Sequence, residues 1–362
     1  MEKRKNKALI PITALLLLIS FASGLTVAYA RSAARGGETA WGYLIIRGVL
    51  VSVFCGVLFW LGSKYAVGWI EKYHKPVLCI GTGVQFVFFV LKSFLAKVEQ
   101  PVLARLIEFV YAALPFLSVI TLCALIKCLE TVLGEALSVK NIGWIAVGIL
   151  CAAVSGNVLK FVLLILLIGM LTGQFKAKTG KSKAPAIILC AVSVCLTAYL
   201  VSEGIAGVQY YLKEWHNPLF MTQVSQSVWG QAKAFGAMED MSIAGGNTHY
   251  FGVLWLVAFL GIVPTVVILL ALAALTVWLL KQKKAPGALS QLSKLVIVYL
   301  AVCTVFAVLQ SGGVFLHAFM TPVPLAADTA AGMCSVFLLL GVFGQSGHSK
   351  PEKAESAAQS FA

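Results

Sequence analysis

The residues whose types could support chemistry lie mainly in one polar interval, residues 208–261 of an otherwise apolar sequence. The interval holds most of the interior Gln, Asn and His residues, and it contains Glu239, Asp240 and His249. A carboxylate or an imidazole held at a membrane surface is the kind of group that acts as a general base. Glu239, Asp240 and His249 are therefore candidate catalytic residues. The alternative interpretation is a solvated loop charge or an ordinary exposed histidine.

The composition of the 362-residue chain is that of a helical membrane protein. Hydrophobic residues make up 60% of it and charged residues only 12%, whereas a soluble domain normally carries about 25% charged residues. Several apolar runs approach or exceed the roughly 20 residues that a helix needs to cross a bilayer. The sequence therefore predicts an all-α integral membrane protein.

The net charge of +14 is concentrated in short segments between the apolar runs. This distribution is typical of cytoplasmic loops that follow the positive-inside rule and contact anionic membrane lipids. It does not indicate nucleic-acid binding, because no basic face is interleaved with aromatic residues. The nine cysteines occur singly, without a Cys-x-x-Cys pair. The sequence thus indicates neither a metal site nor a disulfide framework, and it implies no cofactor.

The N-terminal segment combines a basic start, MEKRKNK, with a long apolar run that ends at Ala28-Tyr29-Ala30. This pattern resembles a secretory signal peptide with its cleavage site. The apolar run is longer than a normal signal core, and further membrane segments follow it. We therefore interpret residues 8–29 as a retained first helix, and the basic residues before it place the N-terminus in the cytoplasm.

Apolar runs and the charges between them predict about ten transmembrane helices with both termini in the cytoplasm. A loop that holds Lys64 and Lys75 is predicted to be cytoplasmic, and one large extracytoplasmic loop, about residues 204–250, precedes the eighth helix. The membrane domain covers residues 1–345, and residues 346–362 form a disordered cytoplasmic tail. After the first helix, the predicted spans are 43–66, 76–95, 106–128, 142–172, 185–203, 251–280, 292–310 and 325–344.

Residues 142–172 admit two interpretations. As one long helix, they would place the lysine-rich loop of residues 174–185 outside the cell, against the positive-inside rule. Two segments that meet at Ser155-Gly156-Asn157 return that loop to the cytoplasm, and each is short for a full crossing, so one is a candidate re-entrant segment. Non-helical backbone at membrane depth is tolerated only inside the protein or beside a water-filled cavity. Lys160, next to the break, fits such a cavity.

Part of the polar interval has a recognisable spacing, in which Trp215 and Pro218 precede Gln223, Gln226 and Ser227. It resembles the external loop of the SEDS family of bacterial envelope proteins, the FtsW, RodA and SpoVE group. In that loop an aromatic residue and a proline are followed by Tyr-Gln and, two residues later, by Gln-Ser. The family layout of about ten helices, with a large external loop before the eighth, also agrees with the layout predicted from charge.

The family loop ends in a His-Thr-Asp-Phe run ahead of a helix that bears a Glu-Glu pair. Here that run falls on residues 248–251, and the aspartate, taken as the family's catalytic carboxylate, is replaced by Tyr250. Tyrosine is a poor base at neutral pH because its reference pKa is near 10, and an interfacial anchor is its alternative role. Ala258 and Phe259 replace the glutamate pair. The resemblance therefore lacks the expected catalytic group.

Two other regions resemble the family. Arg47 lies where the family tends to have a basic residue at the start of the second helix, and it could hold a phosphate or extend to the interface. Near the C-terminus, Thr321 and Val323-Pro324-Leu325 follow the family's Thr-Gly-Val-Pro-Leu-Pro spacing, although Gln310 replaces a family asparagine. The resemblance thus covers most of the chain by layout, with degraded motifs.

The resemblance implies a role in peptidoglycan synthesis during cell division, cell shape or sporulation, in the bacterial cytoplasmic membrane. The family polymerises the lipid-linked disaccharide lipid II into glycan strands alongside a class B penicillin-binding protein. Such glycosyl transfer needs a base, groups that offset the departing pyrophosphate, and a groove for the polyprenyl chain. By resemblance, the substrate-binding candidates are Arg47, Gln223, Gln226, Ser227 and Thr248.

Three functions stay open because the expected aspartate is missing. The chain could be a divergent glycosyltransferase that uses another base. It could be a non-catalytic relative that binds lipid II or a penicillin-binding protein as a scaffold. It could also be an unrelated lipid or small-molecule transporter with a broken helix near Asn157. The retained Gln-x-x-Gln-Ser spacing argues against the transporter.

Replacing Gln223 and Gln226 together with Ala is expected to impair function in a complementation assay, because both lie in the retained loop motif. Membrane insertion, checked by fractionation, should be unchanged. Full complementation by the double variant would mean that the loop is not the functional site.

Overall fold

The computed structural model describes residues 41–95, 101–135, 138–176, 183–214, 226–239, 252–281, 290–311 and 330–346, with Pro324 and scattered positions between 13 and 25. All regular secondary structure in these residues is helical. Within them, five helices are long and apolar enough to cross a bilayer, and three shorter helices are also apolar. The chain is therefore a multi-pass helical membrane protein, as its composition predicts. The five long apolar helices are Trp41–Leu91, Leu114–Gly134, Ala184–Ala206, Ile262–Lys281 and Gln291–Leu309.

One long helix, α3, lies at the centre of the bundle, because it packs against α2, α4, α5, α10 and α11. Fully buried aliphatic and aromatic side chains, such as Leu125, Leu167 and Phe337, form the core around it. A π-helical turn, Gly62–Ala66, joins α1 to α2. The helices are α1 (Trp41–Leu61), α2 (Val67–Leu95), α3 (Pro101–Gly134), α4 (Val139–Val154), α5 (Asn157–Lys176), α6 (Ala184–Glu214), α7 (226–231), α8 (Gly252–Leu260), α9 (Ile262–Lys281), α10 (Ser290–Ser311) and α11 (Ala330–Ser346).

The predicted loop between the second and third spans is wrong, because the chain stays helical from Trp41 to Leu95. The helix bends at Tyr73, whose φ of −117° and ψ of 15° are not helical. Pro76, three residues later, accounts for the bend: proline has no amide hydrogen, and its ring clashes with a carbonyl of the preceding turn. The lysines of the predicted loop therefore project from a kinked helix.

Residues 142–172 form two helices, which confirms the two-segment interpretation. Ser138 caps the start of α4 by accepting a hydrogen bond from the backbone N–H of Asn141 at 3.2 Å. At its other end, Ser155 leaves the helix with a ψ of 156°, and its hydroxyl donates to the Cys151 carbonyl at 2.7 Å. The chain then starts α5 at Asn157, so the turn consists of Ser155 and Gly156.

Two other element bounds differ from the sequence-based ones. Helix α6 continues to Glu214, so residues 204–214 of the predicted external loop are helical. The predicted span 251–280 is two helices, α8 and α9, which are separated by Gly261. Both differences lie beside the polar interval, where the local sequence is least regular.

Helix α1 and the π turn pack along α11 through two glycines. A Cβ added to Gly62 would lie 2.8 Å from the Leu338 carbonyl oxygen and 3.1 Å from the Gly341 Cα. Small residues allow helix backbones to approach this closely inside a membrane. Farther along the same interface, the buried Sγ atoms of Cys55 and Cys334 lie 3.8 Å apart. Helix α11 is thereby held against α1.

Gly341→Ala is expected to lower the free energy of unfolding by about 1–3 kcal/mol, because the added methyl group would press on the backbone of the π turn. Denaturant unfolding of the purified protein in micelles measures this change. Gly56→Ala, in the middle of α1 with no atom within 4 Å of the added Cβ, is the matched control. Equal stability of the two variants would contradict the close crossing.

Candidate functional site

Two contacts to α10 locate the polar groups at one end of the bundle. The Phe161 ring on α5 packs edge-on against the Phe306 ring, with 5.4 Å between centroids. Five residues farther along α10, the carbonyl of Ser311 accepts a 3.0 Å hydrogen bond from the Trp229 indole nitrogen. The start of α5 and the segment 226–239 therefore lie at the same end, which we call the loop end.

Lys160 is the centre of a polar cluster at the loop end. It is only 6% exposed. Its Nζ donates a hydrogen bond to the Asn157 Oδ1 at 3.2 Å and lies 4.5 Å from the centroid of the Tyr199 ring. Glu203, one turn beyond Tyr199 on α6, is close enough to interact electrostatically with Lys160 and with the Tyr199 hydroxyl. We call these four residues the Lys160 cluster.

The helical repeat explains how the cluster forms. Asn157 and Lys160 are three residues apart on α5, and Tyr199 and Glu203 are four apart on α6, so each pair lies on one helix face. The two helices pack side by side, which brings the faces together. A buried ammonium group is costly unless it is paired, and an ionisable group in a membrane bundle is by default a functional candidate. Tyr199 remains partly exposed, so the cluster opens to the surface.

The loop segment 233–238 is bonded to the chain at the break between α8 and α9. The backbone N–H groups of Gly236 and Met238 donate to the carbonyls of Leu260 and Ala258 at 3.0 and 2.9 Å. In the other direction, the N–H groups that begin α9 donate to loop carbonyls: Ile262 to Lys233 and Val263 to Ala234, both at 3.0 Å. Backbone groups freed by the break are therefore satisfied by the loop segment, as a membrane-embedded break requires.

Gly261 makes this exchange possible. Its φ of +88° belongs to the left-handed region that glycine adopts without strain. A Cβ there would lie 2.8 Å from the Ala234 carbonyl oxygen and 2.8 Å from the Phe235 Cα. Thr265, which is buried, closes the break by donating its hydroxyl hydrogen to the Gly261 carbonyl at 2.8 Å. Position 261 therefore requires glycine for two reasons: its backbone is left-handed, and a side chain there would collide with the loop backbone.

The predicted site residues are only partly brought together. Gln226 and Ser227 lie in α7 at the loop end, where Gln226 is exposed and Ser227 partly buried. Glu239 forms an ion pair with Lys233 at 3.1 Å, and its side chain is 87% exposed, which agrees with the interpretation of a solvated loop charge. Gln223, Asp240, Thr248, His249 and Tyr250 lie outside the described residues.

Arg47 is exposed on α1, which packs along α11, whereas the Lys160 cluster lies on α5 and α6. The structure therefore does not bring Arg47 to the cluster. Sequence reasoning noted Lys160 but missed Tyr199 and Glu203. The sequence does show a pair of polar residues at helical spacing on each of two apolar helices. Only the structure shows that these two pairs face each other.

Comparisons with known proteins add no family assignment. No protein-family model matches the chain, and no curated protein matches it significantly. The functional argument therefore depends on the residues and contacts described above.

Gly261→Ala is expected to release the segment 233–238, because the left-handed conformation costs alanine about 1–2 kcal/mol and the added methyl group also meets the loop backbone. Hydrogen–deuterium exchange should show amides of residues 226–239 exchanging at least about tenfold faster. Gly230→Ala, in α7 with open space around its Cβ, is the control and should leave exchange unchanged. Unaltered protection in Gly261→Ala would contradict the role given to the break.

Proposed function

We propose that the chain is a SEDS-like membrane protein of peptidoglycan synthesis that binds a polyprenyl-pyrophosphate-linked saccharide, lipid II, at its loop end. The observation that carries the proposal is the Lys160 cluster, a buried cation that opens to the surface beside a carboxylate. The retained loop spacing Gln223, Gln226, Ser227 supports it independently. A class B penicillin-binding protein is the proposed partner.

In this proposal the chain has about ten transmembrane helices in the bacterial cytoplasmic membrane, with both termini in the cytoplasm. The loop end faces outward. The positions of the lysines support this orientation. Lys294 lies at the opposite end of the bundle, where it interacts electrostatically with Glu130, and Glu71 is near the same carboxylate. That end also includes Lys64 and Lys75, as the positive-inside rule favours for a cytoplasmic face.

The chemistry of the ligand matches the cluster. A pyrophosphate is a dense anion, and an ammonium group with three donor hydrogens can keep one on Asn157 and offer the others to phosphate oxygens. The polyprenyl chain needs apolar surface at bilayer depth. On the membrane side of Glu203, helix α6 exposes the apolar side chains of Ile187, Val194 and Val201. They share one helix face, on the side of α6 away from Tyr199 and Glu203.

Glu203 is the carboxylate nearest to this site among the described residues, so it is the proposed base if the protein polymerises lipid II. The attacking sugar hydroxyl would pass its proton to the Glu203 carboxylate as the glycosidic bond forms and the pyrophosphate departs. The developing charge on the pyrophosphate would be offset by Lys160. Glu239 is too exposed, and already paired with Lys233, to serve as well.

Lys160→Gln is expected to weaken lipid II binding by about 10–100-fold, since hydrogen bonds to a charged group contribute about 1.5–3 kcal/mol. Binding is measured with the full chain in nanodiscs. Lys183→Gln, an exposed lysine at the other end of α6, removes the same charge and should leave binding unchanged. Equal loss in both variants would contradict a specific site.

Polymerisation assays with and without a co-expressed class B penicillin-binding protein separate the open functions. If Lys183→Gln still forms glycan strands and Glu203→Gln binds lipid II but forms none, the protein is an enzyme whose catalytic carboxylate is Glu203. Binding without strands in the wild-type chain would identify a non-catalytic scaffold. The absence of both lipid II binding and glycan strands would overturn the proposal in favour of a transporter.

A further inference from the structure

A second polar feature lies at the opposite end of the bundle, on the surface formed by the end of α1, the π turn and the start of α2. Its members are Trp60, Lys64, Tyr65, Trp69 and Lys72, which we call the basic–aromatic patch. We propose that this patch binds the phosphate headgroup of an anionic phospholipid. The inference does not depend on the function proposed for the loop end.

The π turn gives the patch its shape. Such wide turns are rare, and they occur frequently at functional sites. One side of the turn is fixed, because Gly62 lies against the backbone of Gly341 on α11. The extra residue in the turn shifts the following side chains about 100° around the helix axis. Lys64 and Tyr65 are thereby presented on the exposed side, next to Trp60.

Lysine and ring contacts tie the patch together. The Lys64 Nζ lies 5.1 Å from the ring centroid of Trp60 and 5.0 Å from that of Tyr65. The Trp60 and Tyr65 rings pack edge to face at 5.7 Å, and the Tyr65 and Trp69 centroids are 6.4 Å apart. The three rings are nevertheless 51%, 38% and 65% exposed. This arrangement holds a cation at a surface that has room for a ligand.

The charge of the segment complements an anion. The segment from Lys64 to Lys75 contains three lysines, counting both ends, and one glutamate, Glu71. The Lys72 Nζ lies 5.0 Å from the Tyr73 ring, so a second cation follows the first along the same stretch of helix. Lysine ammonium, indole and phenol groups can all donate hydrogen bonds to phosphate oxygens.

The surroundings of the patch favour a lipid over a free anion. Toward the middle of α1 the exposed side chains next to Trp60 are apolar: Val53, Phe54 and Val57. Along about 20 residues the exposed surface therefore changes from apolar, at residues 53–57, to mixed aromatic and basic, at residues 60–72. A phospholipid changes in the same direction, from acyl chains to a phosphate headgroup. Trp and Tyr prefer this interfacial depth, and lysines near it attract anionic headgroups. Charge and polarity thus match an anionic phospholipid.

Mass spectrometry of lipids retained by the full-length protein, after transfer from nanodiscs with equal amounts of phosphatidylglycerol and phosphatidylcholine, tests the proposal. Wild-type protein should retain phosphatidylglycerol preferentially. Lys64→Gln/Lys72→Gln should reduce that preference about thirtyfold, since each lysine near an anionic surface contributes about a factor of five. Lys140→Gln/Lys183→Gln, which removes two exposed lysines outside the patch, is the matched control and should retain the preference.

Trp69→Leu provides a second variant that keeps every charge. It should also reduce the preference, because it removes an exposed ring of the patch while leaving both lysines. The proposal would be overturned by equal retention of the two lipids in the wild type. Equal loss in the lysine control would overturn it as well, and so would displacement of phosphatidylglycerol by inorganic phosphate alone, which would identify a general anion site.

Discussion

The exchange of backbone hydrogen bonds between residues 233–238 and the helix break at Gly261 is the constraint on which the loop end depends. A break inside an apolar bundle leaves N–H and C=O groups without partners, and each unpaired group costs several kcal/mol where water is excluded. Here the loop segment supplies those partners in both directions. Because the bonds join backbone atoms, the side chains of the segment can vary while the geometry of the loop end is preserved.

Helix α10 connects this constraint to the Lys160 cluster. Its Phe306 packs on the residue that follows Lys160, and its last carbonyl accepts the Trp229 indole hydrogen from the loop. The cluster and the loop thus share one rigid support, although no described contact joins them directly. A buried charge on such a support keeps its position when a ligand arrives, which is the preorganisation that electrostatic binding requires.

The helical membrane-spanning character of the chain could be predicted from the sequence, because its apolar runs match the thickness of a bilayer. The division of residues 142–172 at Ser155 was available from charge alone. The break at Gly261 was not, since glycine is frequent in membrane helices and the loop segment that bonds to it lies more than 20 residues earlier in the sequence. The helix through Lys64 and Lys75 was missed because long basic side chains can leave a helix surface and still reach water.

The candidate site likewise contains residues that the sequence predicts and residues that only the structure reveals. Lys160 could be noticed as an isolated charge in an apolar run, but its neighbour Tyr199 depends on the facing of α5 and α6, which spacing within one helix does not determine. Gln226 and Ser227 were predicted from the loop motif, and the structure places both at the loop end. Glu239 was predicted from its charge, and it forms a solvent-exposed ion pair with Lys233.

The pairing of α1 with α11 has a consequence for biosynthesis. Cys55 and Cys334, which meet in that interface, are 279 residues apart in the chain. At about 5–20 residues per second, roughly 14–56 s pass between translation of the two positions. During that time the faces of α1 and the π turn that later pack on α11 must be covered by lipid, by the translocation machinery or by another helix. This interface therefore closes only after α1 has been inserted, and it stays open until α11 emerges.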